Sequence, residues 1–183
     1  MAKKHYLEDC DAFHVLRFKH RTRAERHEAW AAQRMLGVGG SDLSTILGLN
    51  KYATPYGLWL EKTGREQSAD ISGKWAIVKG NALETALRAR FRDLHPEWEC
   101  YDGTDKSLVS NTHPCMHASL DGILYDEARG HGVLEIKTAN AHRGATDWHD
   151  TDGNLMIPDY YMAQVTHYLA VTGWTWGVVY ADI

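Results

Sequence analysis

A chain of 183 residues, 44% hydrophobic and 24% charged with a formal charge of −4, has the make-up of one globular domain large enough to bury a core. No apolar run is long enough to span a bilayer, and Met1-Ala2-Lys3-Lys4-His5 leads into charged residues where a signal peptide would place its apolar stretch, so a cytoplasmic location is expected. Three scattered cysteines, Cys10, Cys100 and Cys115, argue against a disulfide framework and a structural zinc site, and the eleven histidines form no recognisable zinc spacing.

The charge is unevenly spread. Residues 1–34 carry eight Lys/Arg (Lys3, Lys4, Arg17, Lys19, Arg21, Arg23, Arg26, Arg34) against five acids, and the remainder carries twelve against nineteen. A phosphate-contacting arm beside a cation site and a solvated helical face both account for that pattern. In chain order, 22–36 reads as a helix with Ala24, Trp30, Ala31 and Met35 among polar residues, and Gly37-Val38-Gly39-Gly40 breaks it. Ser41 or Asp42 is then expected to cap a short helix carrying Leu43, Ile46 and Leu47. Pro55 to Lys62 predicts another helical turn or two. Asn81 to Leu94 predicts a helix, with Leu83, Leu87, Phe91 and Leu94 on one stripe and His95-Pro96 ending it.

Short strands are expected at Glu99–Tyr101 and Ser107–Ser110, then a pair, Leu120–Tyr125 and Val133–Thr138, joined by the polar segment Asp126–Gly132. Pro158 opens a last helix to about Val171, Gly173 ends it, and Trp174–Tyr180 is a final strand. Helices, then strands, then helix and strand indicate an α/β fold with a mixed sheet.

Glu135-Ile136-Lys137 is the most informative triplet. Alternation in a strand points Glu135 and Lys137 one way with Val133, and Leu134 and Ile136 the other way into the core. A hairpin brings Asp121 near Glu135. Two adjacent carboxylates repel, and a divalent cation such as Mg²⁺ relieves the repulsion while activating water and screening a phosphodiester. Lys137 is placed to orient that water or to stabilise developing charge. A surface Glu–Lys pair beside a hairpin aspartate explains the same spacing. Glu84 flanks the apolar stripe of its helix, suited to sharing a metal or to pairing with Arg88 at i+4. Gln164 holds a comparable flank on the last helix, suited to a metal-bound water, a substrate phosphate or a polar contact to the sheet. The turn from Gly37 to Asp42 offers free N–H groups and a hydroxyl to an anion, with Arg34 just upstream; a plain tight turn with an N-cap is the simpler alternative. It is neither a Walker A motif nor a dinucleotide fingerprint, since no Gly-Lys-Ser/Thr follows and Asp42 stands at the third glycine position.

With those segments placed, the chain resembles the phage lambda exonuclease / YqaJ-type viral recombinase family of the PD-(D/E)-x-K nuclease superfamily. The likeness runs in order through Arg34-Met35-Leu36-Gly37-Val38-Gly39-Gly40-Ser41-Asp42 with Ile46-Leu47-Gly48, Leu58-Trp59-Leu60-Glu61-Lys62-Thr63-Gly64 and Gly80-Asn81-Ala82-Leu83-Glu84. It continues through Ala118-Ser119-Leu120-Asp121-Gly122, Leu134-Glu135-Ile136-Lys137, and Tyr161-Met162-Ala163-Gln164-Val165 with Tyr168. Each block alone is weak; their joint order is specific. The resemblance implies a restriction-endonuclease-like mixed β-sheet core flanked by helices, with 30–183 as the nuclease domain and 1–29 as a basic helical extension without family signal. It implies Asp121, Glu135 and Glu84 as metal-binding acids, Lys137 assisting the attacking water, Gln164 supporting the site, and Arg34 and Ser41 holding a terminal 5′ phosphate.

The activity so implied is a Mg²⁺-dependent 5′→3′ exonuclease on double-stranded DNA ends, with Mn²⁺ substituting, encoded by a phage or prophage and acting in the bacterial cytoplasm. It would leave 3′ single strands for an annealing protein, and a homo-oligomeric ring, a trimer by family resemblance, is a further expectation. Leu120 replaces the proline of the superfamily name, and relatives often continue beyond the point matching Asp182-Ile183, which leaves ring assembly open. A PD-(D/E)-x-K endonuclease or repair nuclease, and a non-catalytic DNA-end-binding module, remain the alternatives.

Overall fold

A computed structural model describes residues 7–19, 22–67 and 71–183. In chain order the elements are β1 (Phe13–Arg17), α1 (Arg23–Met35), α2 (Gly40–Ile46), α3 (Pro55–Lys62), α4 (Trp75–Leu94), β2 (Glu99–Asp102), β3 (Lys106–Ser110) and β4 (His117–Ala118). They continue with β5 (Gly122–Asp126), β6 (Gly130–Thr138), α5 (Ala141–Asp147), α6 (Asp159–Thr172) and β7 (Gly177–Asp182). The helix starts follow local chemistry. Thr22 caps α1 in a reciprocal box with Glu25, and Thr54 caps α3 ahead of Pro55. Gly173, at φ +71°, closes α6 in the left-handed region that a side chain would strain.

The strands form two sheets. One runs β2-β5-β6-β7, with β7 parallel to β6 and the other neighbours antiparallel; the second is the antiparallel β1-β3-β4. A parallel neighbour requires a crossover, and α5 and α6 supply it between β6 and β7. The larger sheet is covered on both faces. Ile123 and Val133 pack with Tyr168 and Val171 of α6 and with Phe13 and Leu108 of the smaller sheet. Leu124, Leu134 and Ile136 pack with Leu87 and Phe91 of α4 and with Trp176. This is the mixed α/β, restriction-endonuclease-like arrangement expected from the sequence.

Several expectations need correction. Among the described residues of 1–29 the expected helical extension is not continuous: Phe13–Arg17 is a strand paired along its length with β3, and helix begins with α1 at Arg23. The basic residues Lys3, Lys4 and Arg21 lie outside the described residues. α4 begins at Trp75, not Asn81, and β4 and α5 carry no pattern long enough to read. The β5–β6 connection is a tight turn after Asp126, whose carboxylate accepts the Ala128 and Arg129 N–H groups at 2.9 Å each, so the strands run longer than the polar segment suggested. Gly39, not Ser41 or Asp42, caps α2. Asp42 instead reaches back one turn to accept the Gly39 N–H at 2.8 Å. Among the described residues no helix is long and apolar enough to cross a membrane.

Phe91, 1% exposed, joins α4 to the sheet. Phe91→Ala should therefore lower stability by about 3–5 kcal/mol, read as a shift of the urea midpoint. A change under about 1 kcal/mol would mean that α4 does not depend on this packing.

Candidate active site

The β5–β6 register pairs Gly122 with Leu134, which sets Asp121, one residue before β5, across from Glu135. Asp121 Oδ2 accepts the Ile136 N–H at 2.8 Å. Glu135 points away from Leu134 and Ile136, as alternation requires, but the face it occupies is not a solvated one: α6 covers it and leaves Glu135 only 1% exposed. Its Oε1 accepts from Lys137 Nζ and from Gln164 Nε2. The same Gln164 nitrogen lies 2.9 Å from the Tyr168 hydroxyl, and Lys137 Nζ sits 4.7 Å from the centre of the Tyr161 ring. Gln164 therefore makes the polar contact to the sheet that its helix flank allowed.

Glu84 reaches the same corner from α4. It pairs with Arg88 at 2.9 Å, and Arg88 also donates to the Asp121 carbonyl and lies 3.2 Å from Asp102. The i+4 pairing and the approach to the sheet are thus both present, joined through one guanidinium.

The charges explain the character of the corner. Burial, and next the Glu135 carboxylate, push the Asp121 carboxyl up to about 7, against the pull of Lys137, the Ile136 N–H and Arg88. Burial raises Glu135 despite Lys137, and burial followed by Asp121 raises Glu84 despite Arg88. For Lys137, burial is the largest single influence and pulls down, but Glu135 and Asp121 together outweigh it and the ammonium is held charged. The corner is short of positive charge, so burial and mutual repulsion raise all three of its acids.

Glu135 Oε2 is buried with no hydrogen-bond partner, a costly arrangement for a carboxylate. Among the described residues no three His, Cys, Asp or Glu side chains converge as a ready-made ligand cage. The donors on hand, Asp121 and the free Glu135 oxygen with Glu84 nearby, suit a hard divalent cation that takes one or two carboxylates and fills its other positions with water and phosphate. The buried histidines belong elsewhere: His167 Nε2 lies 3.0 Å from the His117 carbonyl, between α6 and β4.

The glycine-rich turn lies against the same helix. A Cβ on Gly40 would fall 2.5 Å from the Tyr168 ring and 2.9 Å from Gln164 Cγ, so only glycine lets α2 approach the side chains that hold Glu135. Arg34 Nη2 donates to Ser41 Oγ at 2.9 Å and lies 3.1 Å from Asp42 Oδ1, and its guanidinium carbon is 5.1 Å from the centre of the Trp30 ring. Sequence reasoning missed Lys62, whose Nζ lies 2.7 Å from Asp42 Oδ2 and donates to the Arg34 carbonyl at 2.6 Å. A lysine in the last turn of a helix is what the helix dipole favours anywhere, so its position carried no distinct signal.

An acid and a lysine on one strand, an aspartate at the entry to its antiparallel neighbour and helices over both sheet faces define a restriction-endonuclease-like α/β domain with a carboxylate–lysine corner. The model of the YqaJ-like viral recombinase domain matches residues 29–175, and the chain belongs to that family. It is similar to the uncharacterized protein YqaJ of Bacillus subtilis (strain 168), 34% identical over 149 residues, which are 80% of this chain and 42% of that protein. The chain thus spans about two-fifths of that relative's length. Arg34, Ser41, Glu84, Asp121, Glu135, Lys137 and Gln164 all fall within the matched span, whereas β1 and β7, which complete the two sheets, lie outside it.

The raised carboxyls make a pH prediction for the metal-free protein. An acid with a higher pKa when folded holds a proton that the unfolded chain releases, so stability declines as pH rises between the ordinary 3.8 of Asp121 and about 7. Glu84 and Glu135, also raised, add the same sign. Urea midpoints should be lower at about pH 8 than at about pH 5, and Asp121→Asn should flatten the slope. An opposite slope in the parent protein would show that these acids are not buried as charged groups.

Proposed function

We propose that this chain is a metal-dependent deoxyribonuclease acting in phage-type recombination: a Mg²⁺-dependent 5′→3′ exonuclease on double-stranded DNA ends that leaves 3′ single strands. The observation that carries the reading is the buried Glu135 carboxylate, with one oxygen held by Lys137 and Gln164 and the other without a partner, beside Asp121. Membership of a family described as viral recombinase supports the recombination setting.

Asp121 and Glu135, with Glu84 directly or through water, would hold the cation. When bound, it would supply an acidified water and screen the phosphodiester charge. Lys137 keeps its proton beside Glu135, which suits it to orient the attacking water or to stabilise the negative charge that builds as the phosphodiester is attacked. Gln164 fixes the Glu135 carboxylate through its amide. Arg34 and Ser41 would receive the 5′ phosphate of the end, and the contact of Gly40 with Gln164 and Tyr168 keeps that receiver beside the cutting corner. A single-strand annealing protein as partner, a ring-shaped homo-oligomer and a cytoplasmic setting belong to the same reading.

Linear duplexes labelled at either end, with and without a 5′ phosphate, test it. Label should leave the 5′ end first, phosphorylated ends should be preferred, and Arg34→Ala should erase the preference. Closed circular DNA cut as fast as linear DNA would refute an exonuclease. Lys137→Ala should lose cleavage by about a hundredfold or more while keeping DNA binding, because the core face of β6 is Leu134 and Ile136; unchanged cleavage would sink the assignment. Chelation with EDTA should abolish activity, Mg²⁺ or Mn²⁺ should restore it, and Ca²⁺, with its looser geometry, should support binding without cutting. Activity that survives full chelation would rule out the metal mechanism.

A further inference from the structure

Asp42 has no part in the reading above, yet it is one of the most constrained charges in the molecule. It is 6% exposed. One carboxylate oxygen lies 3.1 Å from Arg34 Nη2, and the other lies 2.7 Å from Lys62 Nζ and accepts the Gly39 N–H at 2.8 Å. Lys62 closes the circuit by donating to the Arg34 carbonyl at 2.6 Å. The end of α1, the start of α2 and the last turn of α3 therefore meet on one buried carboxylate. Formally the group carries two cations and one anion, so it keeps a net positive charge.

A buried carboxylate between two cations restricts where those cations point. Arg34 bonds Asp42 and Ser41 through the single nitrogen Nη2, which leaves the N–H groups of Nη1 and Nε unengaged by the described residues. Phosphate recognition by arginine depends on two donors presented in a fixed plane. Trp30 backs that plane, with its ring centre 5.1 Å from the guanidinium carbon.

We infer that Asp42 and Lys62 are positioning residues for a terminal-phosphate site: Asp42 fixes the plane of the Arg34 guanidinium and so the direction of its remaining N–H groups, and Lys62 locks Asp42 and supplies the second positive charge. The ligand class is a phosphate monoester at a nucleic-acid 5′ end. A dianionic monoester gains more from a site with two cations than a monoanionic internal diester does, so these two residues set the preference for ends over internal positions. This inference rests on the proposed nuclease reading.

The test compares kcat/KM on linear duplexes with a 5′ phosphate and with a 5′ hydroxyl, and reads their ratio. Asp42→Asn keeps a carbonyl oxygen for the Gly39 N–H but removes the charge. Lys62→Met removes the other half of the pair, and Lys62→Arg restores the charge. The ratio should fall by about tenfold or more in Asp42→Asn and in Lys62→Met, mostly through KM on phosphorylated ends. It should largely recover in Lys62→Arg, and the double variant should lose little beyond either single one. Circular dichroism melts establish that each variant is folded. A merely structural role would lower activity on both ends alike and leave the ratio unchanged, and that result in Asp42→Asn and Lys62→Met overturns the inference. Arg34→Ala separates the two levels. If it erases the ratio while the other variants do not, the end site stands without Asp42 and Lys62. If Arg34→Ala leaves the ratio intact, the end site itself falls, and this inference with it.

Discussion

The rest of the structure depends on the burial of one charged side chain. Glu135 sits 1% exposed under α6, at a depth where an isolated carboxylate would give up its charge. Three neighbours answer part of that cost, while Oε2 keeps no partner. Lys137, two residues along the same strand, leans back onto it; Gln164 reaches down from the helix above; Tyr168 bonds the same amide. The crossover that β7 requires by running parallel to β6 delivers α6 to the place where Gln164 is needed. Topology and chemistry therefore share a cause: the helix that makes a parallel neighbour possible also holds the acid.

The sheet has two buried faces of different character. Toward α4, Leu134, Ile136, Leu124 and Phe91 form an apolar layer, with the Arg88–Glu84 pair at its margin. Toward α6, Val133 begins an apolar layer that gives way to Glu135 and then Lys137 along the same strand. Because side chains alternate, one strand carries apolar packing on one face and the carboxylate–lysine pair on the other.

Long, strongly patterned elements were legible from the sequence. The stripe Leu83, Leu87, Phe91 marks α4, although Leu94, expected on the same stripe, is exposed; Gly173 ends α6, and the alternation of β6 predicts which residues share a face with Glu135. The trio Asp121, Glu135 and Lys137 follows from that alternation and a hairpin. What stayed hidden depends on contacts distant in sequence. Phe13–Arg17 is a strand because β3 offers it an edge about a hundred residues later, not because five residues announce one. The depth of Glu135 is invisible in a hydropathy pattern that records a charged residue and expects solvent. Lys62 looks like an ordinary helix end until α1, α2 and α3 fold together. Asp42 looks like a helix cap, and it does satisfy the Gly39 N–H, but its two ion pairs come from residues that spacing cannot relate.

Gly40 gives these parts a shared fate. With the Tyr168 ring 2.5 Å from where its Cβ would stand, position 40 cannot grow unless position 168 shrinks or α2 withdraws. Either change would loosen the hydroxyl beside Gln164 or widen the space between the glycine-rich turn and the acids. The constraint runs from 40 to 164 and 168: a side chain at 40 demands room from both, and the gap between the turn and the acids works as a gauge whose setting is the missing methyl group.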